Sequence, residues 1–294
     1  WLLPLVYAAG CLLAFAKSTD HWKVARLTAT AALAATVAIT LLAMLLAALA
    51  THQVDALGLT AALLVAVLGW VIINYSSRYL NGEANQLRFV RAMLFTLASV
   101  AVLVVSRNLL VIVLAWSGTS VGLHYLLTFY SERKAAQVVA HKKFLVSRFA
   151  EVCLAIALLL VYQNAGSFSL DALNTYLADI TVLPASLHWA ALLFAFAAIL
   201  KTAQLPLHGW LIQVMEAPTP VSALLHAGVV NMGGFILIRL AELVSLAPAA
   251  QTALVVVGSL TAVLAGLVML TRISIKVRLA WSTCCLLYTS PSPR

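Results

Sequence analysis

Successive apolar runs of about 20 residues, joined by short polar connections, restrict this chain more than any other feature of its sequence. A run of that length satisfies its own backbone inside hydrocarbon only as a helix, so each is expected to cross a bilayer. Roughly nine crossings follow, at 2–16, 27–50, 56–76, 92–106, 108–129, 144–163, 187–212, 220–241 and 251–270, with the start of another after them. Only 9% of the 294 residues are charged, against roughly 25% in a soluble domain. No connection is long enough for a soluble domain. The longest, 164–186, carries Leu170, Leu173, Leu177 and Ile180 at helical spacing with Asp171, Asn174 and Asp179 between them, which predicts a short interfacial helix over 169–180. The expected class is all-α: a polytopic transmembrane helix bundle.

Charge orders the connections. The formal charge is +9, yet the basic residues form no stripe or aromatic-interleaved patch of the kind nucleic acid requires, which argues against nucleic-acid binding. They gather in alternate connections, as the positive-inside rule demands. Lys17, Lys23 and Arg26 fall on one side, Asp55 on the other, and Arg78, Arg88 and Arg91 return to the first. Arg107 is a basic exception opposite. Arg133, Lys134, Lys142 and Lys143 come back, Asp171 and Asp179 cross over, and Arg272, Lys276 and Arg278 close the series. The basic side is then cytoplasmic and the amino-terminal end extracytoplasmic.

The four cysteines, Cys11, Cys153, Cys284 and Cys285, form no C-x-x-C pair and have no histidine at metal spacing, so neither a cofactor nor a metal site is expected. The first apolar run lacks the basic leader and cleavage site of a signal peptide and reads as the remnant of a first span. Residues 285–294 resemble a translated adaptor and are set apart from the fold.

Within this apolar background Lys201 stands in the middle of the seventh run. A lysine at the bilayer centre costs about 2.5–3.5 kcal/mol on insertion scales, which points to a use for it. Pro206 follows the cluster Lys201, Thr202 and Gln204, removes an amide donor and disfavours helix before it, so the backbone is expected to break near Leu205. Unpaired carbonyls at that depth are tolerated only under protein or beside a watery cavity, an arrangement used by transporters. A plain proline kink is the alternative.

His226 lies between Ala223, Leu224, Leu225 and Ala227 in the eighth run, either as a proton relay or as a histidine satisfied by a backbone carbonyl. Glu151 follows Arg148 at i, i+3 on one helical face, as a relay carboxylate or as the arginine's partner. Glu216 precedes Pro218 and Pro220, where it relays, pairs with a base or caps the helix beginning near Thr219. His124 and Lys276 are further relay candidates, with a hydrogen bond to a neighbouring span and a topological marker as their respective alternatives. Gly228, Gly233 and Gly234 allow close helix contact, and Asn231 either bridges helices or holds a water.

The blocks K-T-A-Q-L-P-L-H-G-W-L at 201–211, E-A-P-T-P-V-S-A-L-L-H-A at 216–227 and G-G-F-I-L-I-R at 233–239 resemble the proton-translocating module of the antiporter-like subunits of respiratory complex I and of multi-subunit cation/proton antiporters. I-K-V-R-L-A-W-S-T at 275–283 is similar to the opening of that family's second repeat. The resemblance implies two inverted five-helix repeats, each with a broken helix. Here 1–90 would be amino-terminal helices, 91–243 the first repeat with its break near 201–216, and 244–284 the start of a second, truncated repeat. By position it makes Lys201, His226 and Glu151 the relay groups of the seventh, eighth and sixth spans.

One departure matters. Complex I members carry W-E-G in the fifth span, whose glutamate pairs with the broken-helix lysine, whereas this chain reads A-W-S-G-T-S from Ala115 to Ser120. Lys201 must find another partner, with Glu151 the candidate. That span, with S-E-R-K at 131–134 and A-H-K-K-F-L-V-S-R at 140–148, is similar to the DabB branch. This implies a proton-conducting, energy-coupling subunit in a bacterial inner membrane, paired with a large zinc-containing DabA-like subunit that hydrates CO2 to bicarbonate, and no enzymatic site of its own. A proton-pumping subunit of NADH:quinone oxidoreductase and a sodium/proton antiporter subunit are the alternatives.

Overall fold

Asp55 and Asn108 show how this sequence starts its helices. The Asp55 carboxylate accepts from Gly58 N at 3.0 Å, and the Asn108 side chain accepts from Leu110 N at 2.9 Å and Val111 N at 3.3 Å, each satisfying amides that a first turn leaves open. The computed structural model describes residues 1–14, 20–48, 55–83, 85–130, 132–214 and 217–286. Among them every regular element is a helix.

The chain runs through α1 (Leu2–Leu13), α2 (His21–Ala48), α3 (Ala56–Tyr79), α4 (Gln86–Val105), α5 (Leu109–Leu127), α6 (Lys134–Ala165), the short α7 (Leu170–Asp179) and α8 (Ala185–Lys201). It continues through α9 (Gly209–Gln213), α10 (Thr219–Leu224), a π-helical turn over Leu225–Val229, α11 (Met232–Arg239), α12 (Ala241–Ser245), α13 (Pro248–Leu270) and α14 (Ile275–Leu286). Six of these, α2 to α6 and α13, are long and apolar enough to cross a membrane, and α1 and α8 are shorter apolar helices. The chain is thus an all-α, multi-pass membrane protein.

α8 is the centre of the bundle. Ala190, Ala191, Phe194, Ala195, Ala197 and Ala198 are all buried, and their small side chains let α6 approach through Ala150, Leu154, Ala157 and Val161. α4 packs between α1 and α5. The outward faces of α2 and α13 leave Leu41, Leu42, Met44 and Leu45, and Val255, Val256, Val263 and Leu267, exposed in the way lipid-facing helices do. On one edge Leu109 N donates to Phe168 O at 2.8 Å and Leu170 N to Arg107 O at 2.9 Å, which ties the α4–α5 connection to the start of α7. α7 buries Leu170, Leu173 and Leu177, in keeping with the interfacial helix expected over 169–180.

Three sequence expectations need correction. The seventh run is not one helix broken near Leu205. α8 stops at Lys201, where Ala203 takes a left-handed conformation (φ 54°) and Gln204 N donates to Ile199 O at 3.3 Å, the bonding pattern of a Schellman cap. Pro206, which offers no amide, follows that end. The eighth run is likewise divided, into α10, the π turn, α11 and α12. Finally, several charges assigned to connections are helical: Lys23 and Arg26 in α2, Arg88 and Arg91 in α4, and Lys142 and Lys143 in α6. Charged side chains end an apolar run in the sequence, but lysine and arginine are good helix formers and the helices continue through them.

Candidate functional site

Lys201 is the last helical residue of α8, and its side chain is 4% exposed. The end of a helix carries unpaired carbonyls and a partial negative charge, which favours a cation placed there. Its Nζ donates to Trp116 O at 3.2 Å, to Ser120 Oγ at 3.3 Å and to Glu151 Oε1 at 3.5 Å, and it lies 4.7 Å from the centre of the Trp116 ring. All three donor positions of the ammonium are therefore engaged. Trp116 and Ser120 are one turn apart on α5, with the Ser120 hydroxyl donating back to Trp116 O at 3.3 Å.

Glu151 holds two cations. Arg148 Nη2 stands 2.8 Å from its carboxylate, one turn back on α6, while Lys201 reaches it from α8. The carboxylate side chain is 14% exposed and that of Arg148 39%, so the arginine bridges from the protein exterior to a buried pair. Arg148 also lies over the Phe144 ring and reaches Ser117 Oγ at 3.4 Å. Ser117 occupies the middle position of the W-S-G triplet, so the fifth span answers with a hydroxyl and the sixth supplies the countercharge.

Lys143 is the residue that sequence reasoning missed. It was placed among basic loop residues, yet it is buried, and its Nζ donates to Ser120 O at 3.1 Å. The signal was present in the spacing: Lys143, Ser147 and Glu151 recur every four residues on one face of α6. Lys143, Ser147, Lys201, Thr119, Ser120 and Trp210 line a cavity of about 20 Å³, room for one water molecule.

The other candidates are not drawn into this cluster. His226 lies in the π turn, half-buried, with both ring nitrogens lacking a hydrogen-bond partner among the described residues. Its neighbours Leu225, Val229 and Val230 line the cavity, and His226 does not. His124 sits one turn along α5 from Ser120, its ring 5.7 Å from that of His141 and 5.1 Å from that of Phe144. Lys276 is exposed and donates to Thr219 Oγ1 at 3.2 Å, and Asn231 is exposed. Glu216 lies outside the described residues. Among the described residues no group of three or more His, Cys, Asp or Glu side chains is arranged to hold a metal ion.

Comparison with known proteins places this cluster in context. Residues 106–287 match the family model described as NADH:quinone oxidoreductase/Mrp antiporter, TM, and residues 46–90 match the model for the amino terminus of complex I chain 5. The chain is 48% identical over 221 residues to the probable inorganic carbon transporter subunit DabB of Hydrogenovibrio crunogenus, covering 75% of this chain and 43% of that protein. It is 36% identical over 234 residues to NADH-quinone oxidoreductase subunit L of Escherichia coli, covering 78% of this chain and 38% of that protein. Among solved structures, the Mrp complex from Dietzia sp. DQ12-45-1b superposes with a TM-score of 0.72 at 30% identity, over 79% of this chain and 25% of the matched chain. The chain spans less than half the length of the curated relatives it matches. With more than half of its residues matched by that model, the chain belongs to the NADH:quinone oxidoreductase/Mrp antiporter transmembrane family.

Proposed function

We propose that this chain is the proton-conducting, energy-coupling membrane subunit of a bacterial inorganic-carbon uptake complex. One observation carries the reading: a buried ammonium at the end of a broken helix, whose countercharge comes from Glu151 on α6 while the fifth span offers only backbone and hydroxyl oxygens. The 48% identity to a DabB subunit supports carbon uptake over the other branches of the family.

The chemistry follows from charge pairing. An opposite charge within about 4 Å favours the ammonium form of an amine, so protonation of Glu151, or its engagement by Arg148 alone, loosens the proton on Lys201. That proton then moves on, with His226 the proposed acceptor on the next span. Glu216, His124 and Lys276 remain proposed relay positions of lower rank, because none shares a bond with this cluster. The chain carries no reaction of its own in this scheme. Hydration of CO2 takes place at the zinc site of a large DabA-like partner subunit, and the complex sits in the inner membrane with the basic connections facing the cytoplasm.

Co-expression of the intact protein with a DabA-like partner is expected to restore growth in air to cells lacking carbonic anhydrase. Lys201→Ala is expected to abolish rescue at unchanged membrane abundance; undiminished rescue by that variant overturns the reading. A second reading, a proton-pumping subunit of NADH:quinone oxidoreductase, draws on the 36% identity to subunit L. The genes beside the intact reading frame separate the two: a zinc-motif partner on one side of the question, a run of redox subunits on the other.

A further inference from the structure

Two buried amines meet at one serine. Lys143 Nζ is 3.1 Å from the carbonyl of Ser120 and Lys201 Nζ is 3.3 Å from its hydroxyl, and both side chains line the same cavity of about 20 Å³. Three basic groups, Lys143, Arg148 and Lys201, face a single carboxylate, Glu151, which is already bonded to two of them. Two ammonium groups around one serine repel each other in a site of low dielectric, so a charge on one disfavours a charge on the other. Lys143 also lacks the carboxylate that holds Lys201.

We propose that Lys143 and Lys201 form a proton-exchanging pair, in which one mobile proton passes between the two amines through a water in the cavity beside Ser120. The step balances simply. The ammonium of Lys143 gives a proton to the water, the water gives a different proton to the neutral amine of Lys201, and the water is restored. Lys143 is the donor in the inward-connected direction because it lies on the side of α6 that carries Lys134, Lys142 and His141, while Glu151 lies two turns further along the helix. The groups facing Lys143 are Ser120 and His124 from α5, Ser147, Arg148 and Glu151 from its own helix, Lys201 from α8 and Trp210 from α9. His124 and the exposed His141, ring to ring, stand between this pair and the basic end of α6.

The inference rests on the proton-conducting reading of Lys201 and adds a second essential amine, one that must be able to lose its proton. The test is proton flux in inverted membrane vesicles containing the intact protein and its partner, followed with a pH-sensitive dye across a range of external pH. Lys143→Arg keeps the charge and length but does not release a proton. The pair predicts at least a tenfold loss of flux in Lys143→Arg and Lys143→Met alike, and a several-fold loss in Ser120→Ala. Wild-type flux and an unchanged pH profile in Lys143→Arg, with Lys201→Met inactive, would show Lys143 to be a fixed charge and overturn the pair while leaving the Lys201 reading intact. Wild-type flux in Lys201→Met overturns both. Should Lys143→Met fail to assemble, the arginine variant decides alone.

Discussion

Lys201 and Glu151 belong to helices separated by a loop, a short helix and a second loop, and their charged ends stand 3.5 Å apart where α8 terminates. The same carboxylate binds Arg148 at 2.8 Å. A buried cation at a helix end thus has its charge balanced across the bundle and not along its own helix. This has a direct consequence for substitution.

Glu151→Gln removes the countercharge of a side chain that is 4% exposed. Breaking one partner of a buried ion pair costs about 3–5 kcal/mol. The variant is expected to lose thermal stability in detergent and at least tenfold in proton flux, with Glu151→Asp intermediate because its shorter carboxylate reaches Lys201 less well. Melting curves and dye-monitored flux on the same preparations check both.

Asp55 and Arg239 make a second ion pair, at 2.7 Å, with the arginine side chain 7% exposed and also donating to Val104 O at 3.0 Å. Asp55→Asn keeps an oxygen to cap α3 but leaves the guanidinium buried without its counterion, whereas Arg239→Met removes the buried charge. The asparagine variant is therefore expected to be the less stable of the two, by roughly 1–3 kcal/mol, since an unpaired buried charge costs more than an apolar replacement. Thermal unfolding of the two variants side by side measures the order.

Gly233 of α11 packs on Thr202, the residue after Lys201. A Cβ there would overlap Thr202 Cγ2 and stand 3.5 Å from Ala198 O. Gly233→Ala is expected to cost about 1–3 kcal/mol, as overpacking does, and to lower flux by displacing the end of α8. Thr202→Ser deletes the offending methyl but keeps the hydroxyl that donates to Ala198 O at 2.8 Å. The double variant should recover most of both losses, which a double-mutant cycle quantifies.

Arg107 and Asp171 pair at the surface, with side chains 54% and 61% exposed. Exposed pairs contribute about 0–1 kcal/mol, so Arg107→Gln should unfold within about 1 kcal/mol of the parent in the same assay. Flux should be unchanged.

The sequence made some of this architecture readable and hid the rest for physical reasons. Lys201 stood out because an ammonium inside an apolar run has few explanations, and the helix over 169–180 stood out because its leucines recur at helical spacing. Arg107, an apparent exception to the charge alternation, is accounted for by its pairing with Asp171. Lys143 was hidden because Lys142 precedes it and a pair of lysines at the margin of an apolar run looks like a solvated end. Only its four-residue spacing to Ser147 and Glu151 distinguishes it. The division of 220–241 was also hidden, since Pro218 and Pro220 precede it and no proline interrupts it; the π turn there is recognised from the bond of Val230 N to Leu225 O at 3.2 Å.

That wide turn over Leu225–Val229 fixes an angular phase. Each residue advances an α-helix by about 100°, and a π turn accommodates one residue more than the regular spiral would. Excising a single residue from it would let the spiral close normally and swing everything downstream round by about that angle. Gly233 would then rotate off the tip of α8, and a bulkier neighbour would be pressed against the residue that follows the buried ammonium.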